Sequence, residues 1–115
     1  IWKAMAKQTG ACLVKNSHEL INLAMAFHHL NEPSKVLNKL KRNLNPNGRI
    51  IIVDLDKEDG SFHPDNEGMG VKHFGFSKET LEDWANSNDL NLDHYIINSI
   101  EKNECEYQQF CAVFK

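Results

Sequence analysis

The hydrophobic and polar positions between residues 20 and 44 predict a strand followed by a helix. Residues 20–27 are a short apolar run of strand length, and the polar pair His28-His29 follows it. Asn31 is the expected cap of the next helix, since Pro33 occupies a helix-start position just after it. Apolar residues then recur at helical spacing, with lysines between them: Val36, Leu37, Leu40 and Leu44.

A second strand is predicted immediately after this helix. The tetrapeptide Asn45-Pro46-Asn47-Gly48 should end the helix in a turn, because proline cannot continue a helix and glycine permits the turn. Residues 50–53 are Ile-Ile-Ile-Val, β-branched and apolar on both faces, which is typical of a buried parallel strand. The pattern therefore predicts a strand–helix–strand unit.

The second half of the chain has a polar loop, a helix and a hairpin in its pattern. Residues 54–75 are polar and glycine-rich, and a connection of that length is usually functional or mobile. Ser77 is the predicted cap of a helix whose inner stripe is Leu81, Trp84 and Ala85, with Phe76 and Leu81 spaced as a hydrophobic staple. Residues 92–100 and 107–114 alternate at period two around a linker at 101–104, as an antiparallel hairpin does.

These elements predict an α/β fold with parallel strands, helices on the faces and a terminal antiparallel hairpin, in one domain over residues 1–115. Residues 1–17 are harder to interpret: Trp2, Met5 and Ala6 suggest a helix, and residues 11–14 a strand. Open sheets of this kind bind ligands beyond the carboxyl ends of their strands. The polar residues around His28 and Asp54 fall at those ends.

Composition and charge argue against several classes of protein. The chain has 115 residues, 41% of them hydrophobic and 25% charged, which is ordinary for a globular domain. A net charge of −3 with only two arginines disfavours nucleic-acid binding. Three cysteines without C-x-x-C spacing favour idle thiols over a disulfide framework. The apolar runs are too short to cross a bilayer, and no signal segment is visible, so we expect a cytoplasmic protein.

Several segments resemble class I S-adenosylmethionine-dependent methyltransferases. The stretch Ala24-Met25-Ala26-Phe27-His28-His29-Leu30 is similar to the strand-end turn of that family, and residues 44–48 are similar to its "Leu-Lys-Pro-Gly-Gly" turn, departing at Asn45 and Asn47. Residues 54–63, Asp-Leu-Asp-Lys-Glu-Asp-Gly-Ser-Phe-His, and 70–76, Gly-Val-Lys-His-Phe-Gly-Phe, resemble a bacterial-type branch that acts on small molecules. The resemblance extends over about residues 19–115.

The resemblance implies that this chain is the second half of a seven-stranded methyltransferase domain. No Gly-x-Gly directly follows a predicted strand, and the acidic residue that ends the second strand of the family's fold has no counterpart here, although both hold the cofactor in this family. We therefore expect a fragment that is inactive alone, from a parent enzyme that uses S-adenosyl-L-methionine to methylate a small molecule. The residues implied to contact the methionine end of the cofactor are Ala24, Met25, Ala26, Phe27 and His28.

Rim histidines are the candidates for acid–base chemistry. Where the acceptor must lose a proton, His29 or His73 is the expected catalytic base. Asp54 and His63 are candidate substrate contacts, although structural hydrogen bonding by Asp54 and a solvated role for His63 and His73 are open alternatives. No Asn-Pro-Pro-Tyr motif follows residues 24–27, which disfavours nucleobase methylation.

Two further functions stay open. One is a non-catalytic binding or assembly module, in which the strand at residues 20–27 forms an exposed sheet edge that pairs two chains into a homodimer. The other is a metal-dependent hydrolase using His28, His29, His63, His73 and Asp59. Imidazoles and carboxylates suit zinc or iron, but no two of these histidines have the i, i+4 spacing of a helical metal motif, so we expect no metal.

Overall fold

A computed structural model describes residues 18–115 of the chain, so the predicted helix near Trp2 and strand at residues 11–14 lie outside the described residues. A four-stranded sheet has the spatial order β1-β2-β4-β3, with β1 and β2 parallel and the other neighbours antiparallel. This arrangement confirms the predicted α/β fold with its terminal antiparallel hairpin. In chain order the elements are β1 (His18–Ala24), a 3-10 turn (Phe27–His29), α1 (Pro33–Arg42), β2 (Leu44–Leu55), α2 (Lys78–Ser87), β3 (Leu92–Lys102) and β4 (Cys105–Phe114).

The first strand and the first helix end and begin at slightly different residues from those expected. β1 ends at Ala24 because Met25 adopts a left-handed backbone with φ 55°, after which the chain enters the 3-10 turn. α1 begins at Pro33, and its N-cap is Glu32, which makes no side-chain capping bond. The prediction of Asn31 as the cap was therefore wrong. Proline at the first helical position removes one of the N–H groups at the helix start that have no partner within the helix.

The predicted turn at residues 45–48 is instead a bulge inside a strand. α1 ends at Arg42, and β2 runs from Leu44 through the tetrapeptide to Leu55. His18 pairs with Leu44 and Leu20 with Arg49, so two steps along β1 are matched by five along β2. Proline lacks a ladder donor and glycine tolerates unusual dihedral angles, so both are favoured at such irregularities. The same residue types that predict a turn are thus placed in a bulge.

The core lies between the two helices and one face of the sheet. α1 contributes Leu37 and Leu40, α2 contributes Leu81, and β2 contributes Ile50 and Ile52, all without exposed surface. β1 buries Ile21 and Leu23 on this face and exposes its alternate residues on the other: Leu20, Asn22 and Ala24. Alternation of this kind follows from the two-residue period of a strand.

The C-terminal elements agree closely with their pattern. The Ser77 hydroxyl accepts a hydrogen bond from Thr80 N at 3.3 Å, which confirms the predicted cap. The stripe of Leu81, Trp84 and Ala85 packs in the core as expected. The hairpin is confirmed, with a tighter connection than residues 101–104: only Asn103 and Glu104 lie between the strands, and both have positive φ. Such a pair is the type I′ geometry that matches strand twist.

In residues 18–115, both helices are ten residues long, and neither has the length and apolar character needed to cross a membrane.

Candidate functional site

The carboxyl ends of the two parallel strands meet at one edge of the sheet, which we call the rim. Ala24 pairs with Val53, and Met25 N donates to Val53 O at 2.7 Å, so the turn after β1 lies beside the end of β2. The next residue of β2 is Asp54, which has no exposed surface. A buried acidic residue therefore stands next to the turn that carries His28 and His29.

His28 and Asp54 form a buried hydrogen-bonded pair. His28 Nδ1 donates to Asp54 Oδ1 at 2.7 Å, and the backbone N of His28 donates to Oδ2 at 3.1 Å. Leu55 N also donates to Oδ1, at 2.7 Å. The two side chains are 2% and 0% exposed. Because a carboxylate can only accept, Nδ1 of His28 carries a proton, and the neutral tautomer that makes this bond has its lone pair on Nε2.

The polar loop at residues 56–77 folds back over the rim. Lys72 N and His73 N both donate to the carbonyl oxygen of His28, at 2.8 and 3.0 Å. At its two ends, Glu58 N donates to Phe74 O and Phe76 N donates to Leu55 O, each at 2.9 Å. A connection without helix or strand is thus fastened to the rim by backbone hydrogen bonds.

This folding brings three histidines together. The ring centroids of His28 and His29 are 4.2 Å apart, and His63 lies 4.9 Å from His28 and 5.9 Å from His29. One potential ligand nitrogen from each ring lies within 4.8 Å of the others. His29 Nδ1 donates to Gly70 O at 3.1 Å. We refer to His28, His29 and His63 as the histidine cluster; by ligand chemistry it is a group that could hold a metal ion.

The surroundings of His63 favour the neutral form of its ring. Burial lowers the pKa of His63, and the neighbouring His28, Lys102 and His29 lower it further, while Glu58 acts in the opposite direction. His63 is 8% exposed. A neutral imidazole keeps one ring nitrogen available to accept a proton or bind a metal.

His73 occupies a separate position from the cluster. Its ring lies 5.2 Å from that of Phe76, and it lines a surface hollow of about 550 Å³ together with Lys57, Trp84 and residues at the start of α1. Asp59, the remaining member of the predicted metal set, is exposed and accepts a hydrogen bond from Ser61 N. The structure therefore groups three of the five residues and leaves two outside.

The five residues implied to contact a cofactor differ in how accessible they are. Ala24 is exposed and Met25 half-buried, whereas Ala26, Phe27 and His28 are 5%, 0% and 1% exposed. The Phe27 ring packs 5.9 Å from Trp84 in the core. A ligand outside the sheet end could therefore meet Ala24 and Met25, but not Phe27, which has no exposed surface.

Some features of the site could not be predicted from the sequence pattern. The carbonyl of Gly70 orients His29, and the left-handed Met25 ends β1, although methionine does not favour that conformation. Ser61 Oγ and Tyr107 Oη are hydrogen-bonded at 2.7 Å, which attaches the loop to β4. These contacts join residues 41 and 46 positions apart, beyond the reach of any local motif.

Comparisons of the sequence with known proteins identify one domain family and one curated relative. The family model described as a methyltransferase domain matches residues 6–52. A methyltransferase of Schizosaccharomyces pombe that has not been characterised is 42% identical over 57 aligned residues, covering 45% of this chain and 20% of that protein.

Solved structures share the fold. A SAM-dependent methyltransferase from Leishmania major matches with a TM-score of 0.69 at 14% identity, over 94% of this chain and 42% of that one. Another from Methanosarcina mazei matches with a TM-score of 0.70 at 13% identity, over 92% of this chain and 62% of that one. These matches confirm the predicted resemblance to class I methyltransferases. The chain spans less than two thirds of the length of each of these proteins.

Proposed function

We propose that this chain, which resembles class I S-adenosylmethionine-dependent methyltransferases, is the second half of the catalytic domain of an enzyme that methylates a small molecule. The observation that carries the proposal is the rim: the turn after β1 lies in register with the end of β2, and polar side chains gather there. Ligands of open α/β sheets bind at such strand ends.

The cofactor of the proposed enzyme is S-adenosyl-L-methionine, which supplies an electrophilic methyl group on a sulfonium sulfur. Ala24 is exposed and Met25 turns the backbone at the sheet end, so both fit a role in holding the methionine end. The sequence has no Gly-x-Gly loop after a strand, so this chain lacks the close backbone approach that holds a nucleotide. For that reason we propose that it is inactive without the preceding half of the domain.

The rim histidines have distinct proposed roles. His29 is half-buried and its Nδ1 donates to Gly70, so its Nε2 can accept a proton from the methyl acceptor. His73 is the second candidate base, in its hollow beside Phe76. Asp54 is wholly buried, and we assign it to positioning His28. His63, packed against both neighbouring histidines, is the proposed substrate contact.

Most of the rate enhancement is proposed to come from alignment. Direct transfer of a methyl group needs the acceptor atom held in line with the sulfonium carbon, and positioning of two reactants is worth several orders of magnitude in rate. The backbone bonds from Lys72 and His73 to His28 fix the loop against the turn. The acceptor would therefore approach a rim whose two sides do not move independently.

The acceptor is proposed to be a small molecule of the cytoplasm rather than a nucleic acid. The chain has 13 basic and 16 acidic residues, and its two arginines lie at Arg42 and Arg49, away from the rim. Phosphate backbones are gripped by clustered lysines and arginines, which this composition does not offer.

Calorimetric titration of S-adenosylhomocysteine tests the proposal. The 115-residue chain should bind more weakly than about 1 mM, and the chain extended by its preceding coding sequence should bind at micromolar strength. In the extended protein, Ala24→Trp should weaken binding at least tenfold by filling the strand end. The matched control is Asn22→Trp on the same exposed face of β1. Micromolar binding by the short chain, or equal effects of the two tryptophans, would contradict the proposal.

A second candidate function is an assembly module that pairs through a sheet edge. In the described part of the sheet β1 is an edge strand, and Leu20 on it is 55% exposed. Unpaired edges invite association with another chain. Light scattering should then give twice the monomer mass, and Leu20→Lys should return the monomer; a clean monomer at high concentration contradicts this function.

A further inference from the structure

The histidine cluster contains ring nitrogens that the described residues do not satisfy. His28 is 1% exposed, and its Nε2 has no hydrogen-bond partner within residues 18–115. The buried Nδ1 of His63 likewise has no hydrogen-bond partner within residues 18–115. Buried polar nitrogens are ordinarily hydrogen-bonded, so two orphaned atoms within one cluster need an explanation.

The orientation of two rings is set by hydrogen bonds of the kind found around metal ligands. His28 donates its Nδ1 proton to the Asp54 carboxylate, and His29 donates its Nδ1 proton to the Gly70 carbonyl. Metal-binding histidines almost always give their other N–H to a carboxylate or a backbone carbonyl, which fixes the tautomer and the ring direction. Both bonds here leave Nε2 with the lone pair that a metal requires.

We propose that His28, His29 and His63 bind a divalent transition-metal ion. Their ligand nitrogens lie within 4.8 Å of one another. Around zinc, with Zn–N distances of about 2.0–2.1 Å, tetrahedral geometry brings such nitrogens to roughly 3.3 Å apart. His28 and His29 are both held by their Nδ1 hydrogen bonds, whereas His63 lies on the loop, so movement of the His63 ring toward the two anchored rings closes the triangle.

Within residues 18–115 no fourth protein ligand joins the three imidazoles, so they form an open site. Sites of this composition suit zinc, copper, iron or nickel, and those that keep a free position bind water or a ligand there. The site goes beyond the proposed methyltransferase function, since it requires neither cofactor nor acceptor. When the metal is bound, Nε2 of His29 is engaged, and His73 is the remaining base for methyl transfer.

Titration with ZnCl₂ after EDTA treatment tests the proposal on the 115-residue chain. We expect one zinc per chain with a dissociation constant of micromolar or below, and at least hundredfold weaker binding in each of His29→Gln and His63→Gln. The matched control is His94→Gln, because His94 is 72% exposed on β3 and lies outside the cluster. These three variants leave the buried His28–Asp54 pair in place.

Nitrogen-15 NMR of the imidazole rings separates this site from zinc bound by cysteines. Zinc should shift the Nε2 signals of His28 and His29 and the ring signals of His63, and leave those of His94 unchanged. Binding weaker than about 100 μM, or cluster variants that bind zinc as the wild type does, would overturn the proposal. Either result is independent of S-adenosylhomocysteine binding, so this site and the proposed function can fail separately.

Discussion

The rim and the β3–β4 hairpin differ in where their polar side chains lie, buried at the rim and exposed in the hairpin. At the rim, His28, Asp54 and His63 are buried, and contacts from distant parts of the chain hold them. In the hairpin a backbone ladder runs from Leu92↔Phe114 to Lys102↔Cys105, with one register shift between Leu92 and His94, and the acidic residues of β3 are exposed. Repetitive backbone pairing stabilises the hairpin, whereas individual side-chain contacts stabilise the rim. A region of the second kind is sensitive to single substitutions and suited to a binding site.

The test with the largest expected effect on stability replaces the acidic partner of a histidine in each region. Asp54→Ala removes the acceptor for His28 N, His28 Nδ1 and Leu55 N inside the protein. Each buried donor left without a partner costs about 1–3 kcal/mol, so the three together should lower the free energy of unfolding by about 3–5 kcal/mol. Urea denaturation followed by circular dichroism measures the loss.

The hairpin offers the matched control. Asp93 lies 3.3 Å from His94, whose side chain is 72% exposed. Exposed pairs contribute about 0–1 kcal/mol, so Asp93→Ala should leave the denaturation midpoint nearly unchanged. Similar losses in the two variants would show that the rim pair is no more important than the surface pair.

Two glycines of the rim loop give the second test. A Cβ at Gly75 would overlap the Asp56 carbonyl and come within 2.8 Å of the Leu55 carbonyl oxygen, at a φ of 79°. Gly75→Ala should therefore lower the free energy of unfolding by about 3 kcal/mol, from left-handed strain and overpacking together. Gly70 has a similar φ of 72°, but its Cβ would meet only His29 Nδ1 at 4.0 Å.

Gly70→Ala accordingly tests the backbone strain alone, and it should lower the free energy of unfolding by about 1 kcal/mol. Equal losses at the two positions would mean that the loop is not held closely against residues 55 and 56. Thermal unfolding of both variants, scanned under one set of conditions, provides the measurement.

The contrast between the regions also explains what sequence patterns could predict. The hairpin, the Ser77 cap and the stripe of Leu81 depend on neighbours within a few residues, so periodicity and capping rules found them. The bulge at residues 45–48 was mistaken for a turn, because its residue types suit both and only pairing with β1 decides between them.

The sequence was enough to predict which residues lie at the rim, but not which of them contact one another. Strand-end logic placed His28 and Asp54 at one edge, as observed. The sequence analysis named His28, His29 and His63 as candidate ligands but could not predict that they meet, because His63 lies 34 residues after His29 and reaches it through the folded loop. Ligands assembled from separate segments leave no local spacing to detect.

Two left-handed residues, one in each region, provide a smaller test. Glu104 in the hairpin turn has a φ of 65° and is exposed, so Glu104→Gly relieves strain without losing contacts. We expect a gain of about 0.5–1 kcal/mol in the free energy of unfolding, the strain relief less the entropy cost of glycine.

Met25 at the rim has a φ of 55°, but it packs against the cluster of Leu55, Phe62 and Tyr107, and its sulfur accepts a bond from Gln109 Nε2 at 3.3 Å. The stability lost with that packing is about equal to the stability gained by relieving the backbone strain. Met25→Gly should therefore give no gain in urea denaturation. A stabilised Met25→Gly would show that the rim conformation is not supported by its packing.

The smallest effect is a pH dependence that arises at the rim and not in the hairpin. Burial and the neighbouring His28, Lys102 and His29 lower the pKa of His63 in the folded protein, and the ordinary value near 6.5 applies to the unfolded chain. As the pH falls below about 6.5, the unfolded state binds a proton that the folded state resists. The contribution of His63 to stability is thus complete above pH 6.5 and is lost as the pH falls through its lowered folded pKa.

His63→Gln removes this titration, so in EDTA its free energy of unfolding should fall less steeply between pH 7 and pH 5 than that of the wild type. The matched control is His94→Gln, because the His94 side chain is 72% exposed in the wild type. A wild-type slope in His63→Gln would mean that His63 reaches solvent and is protonated as freely in the folded protein as in the unfolded one. The comparison between rim and hairpin would then rest on the His28–Asp54 pair alone, since a solvated His63 takes no part in a buried cluster.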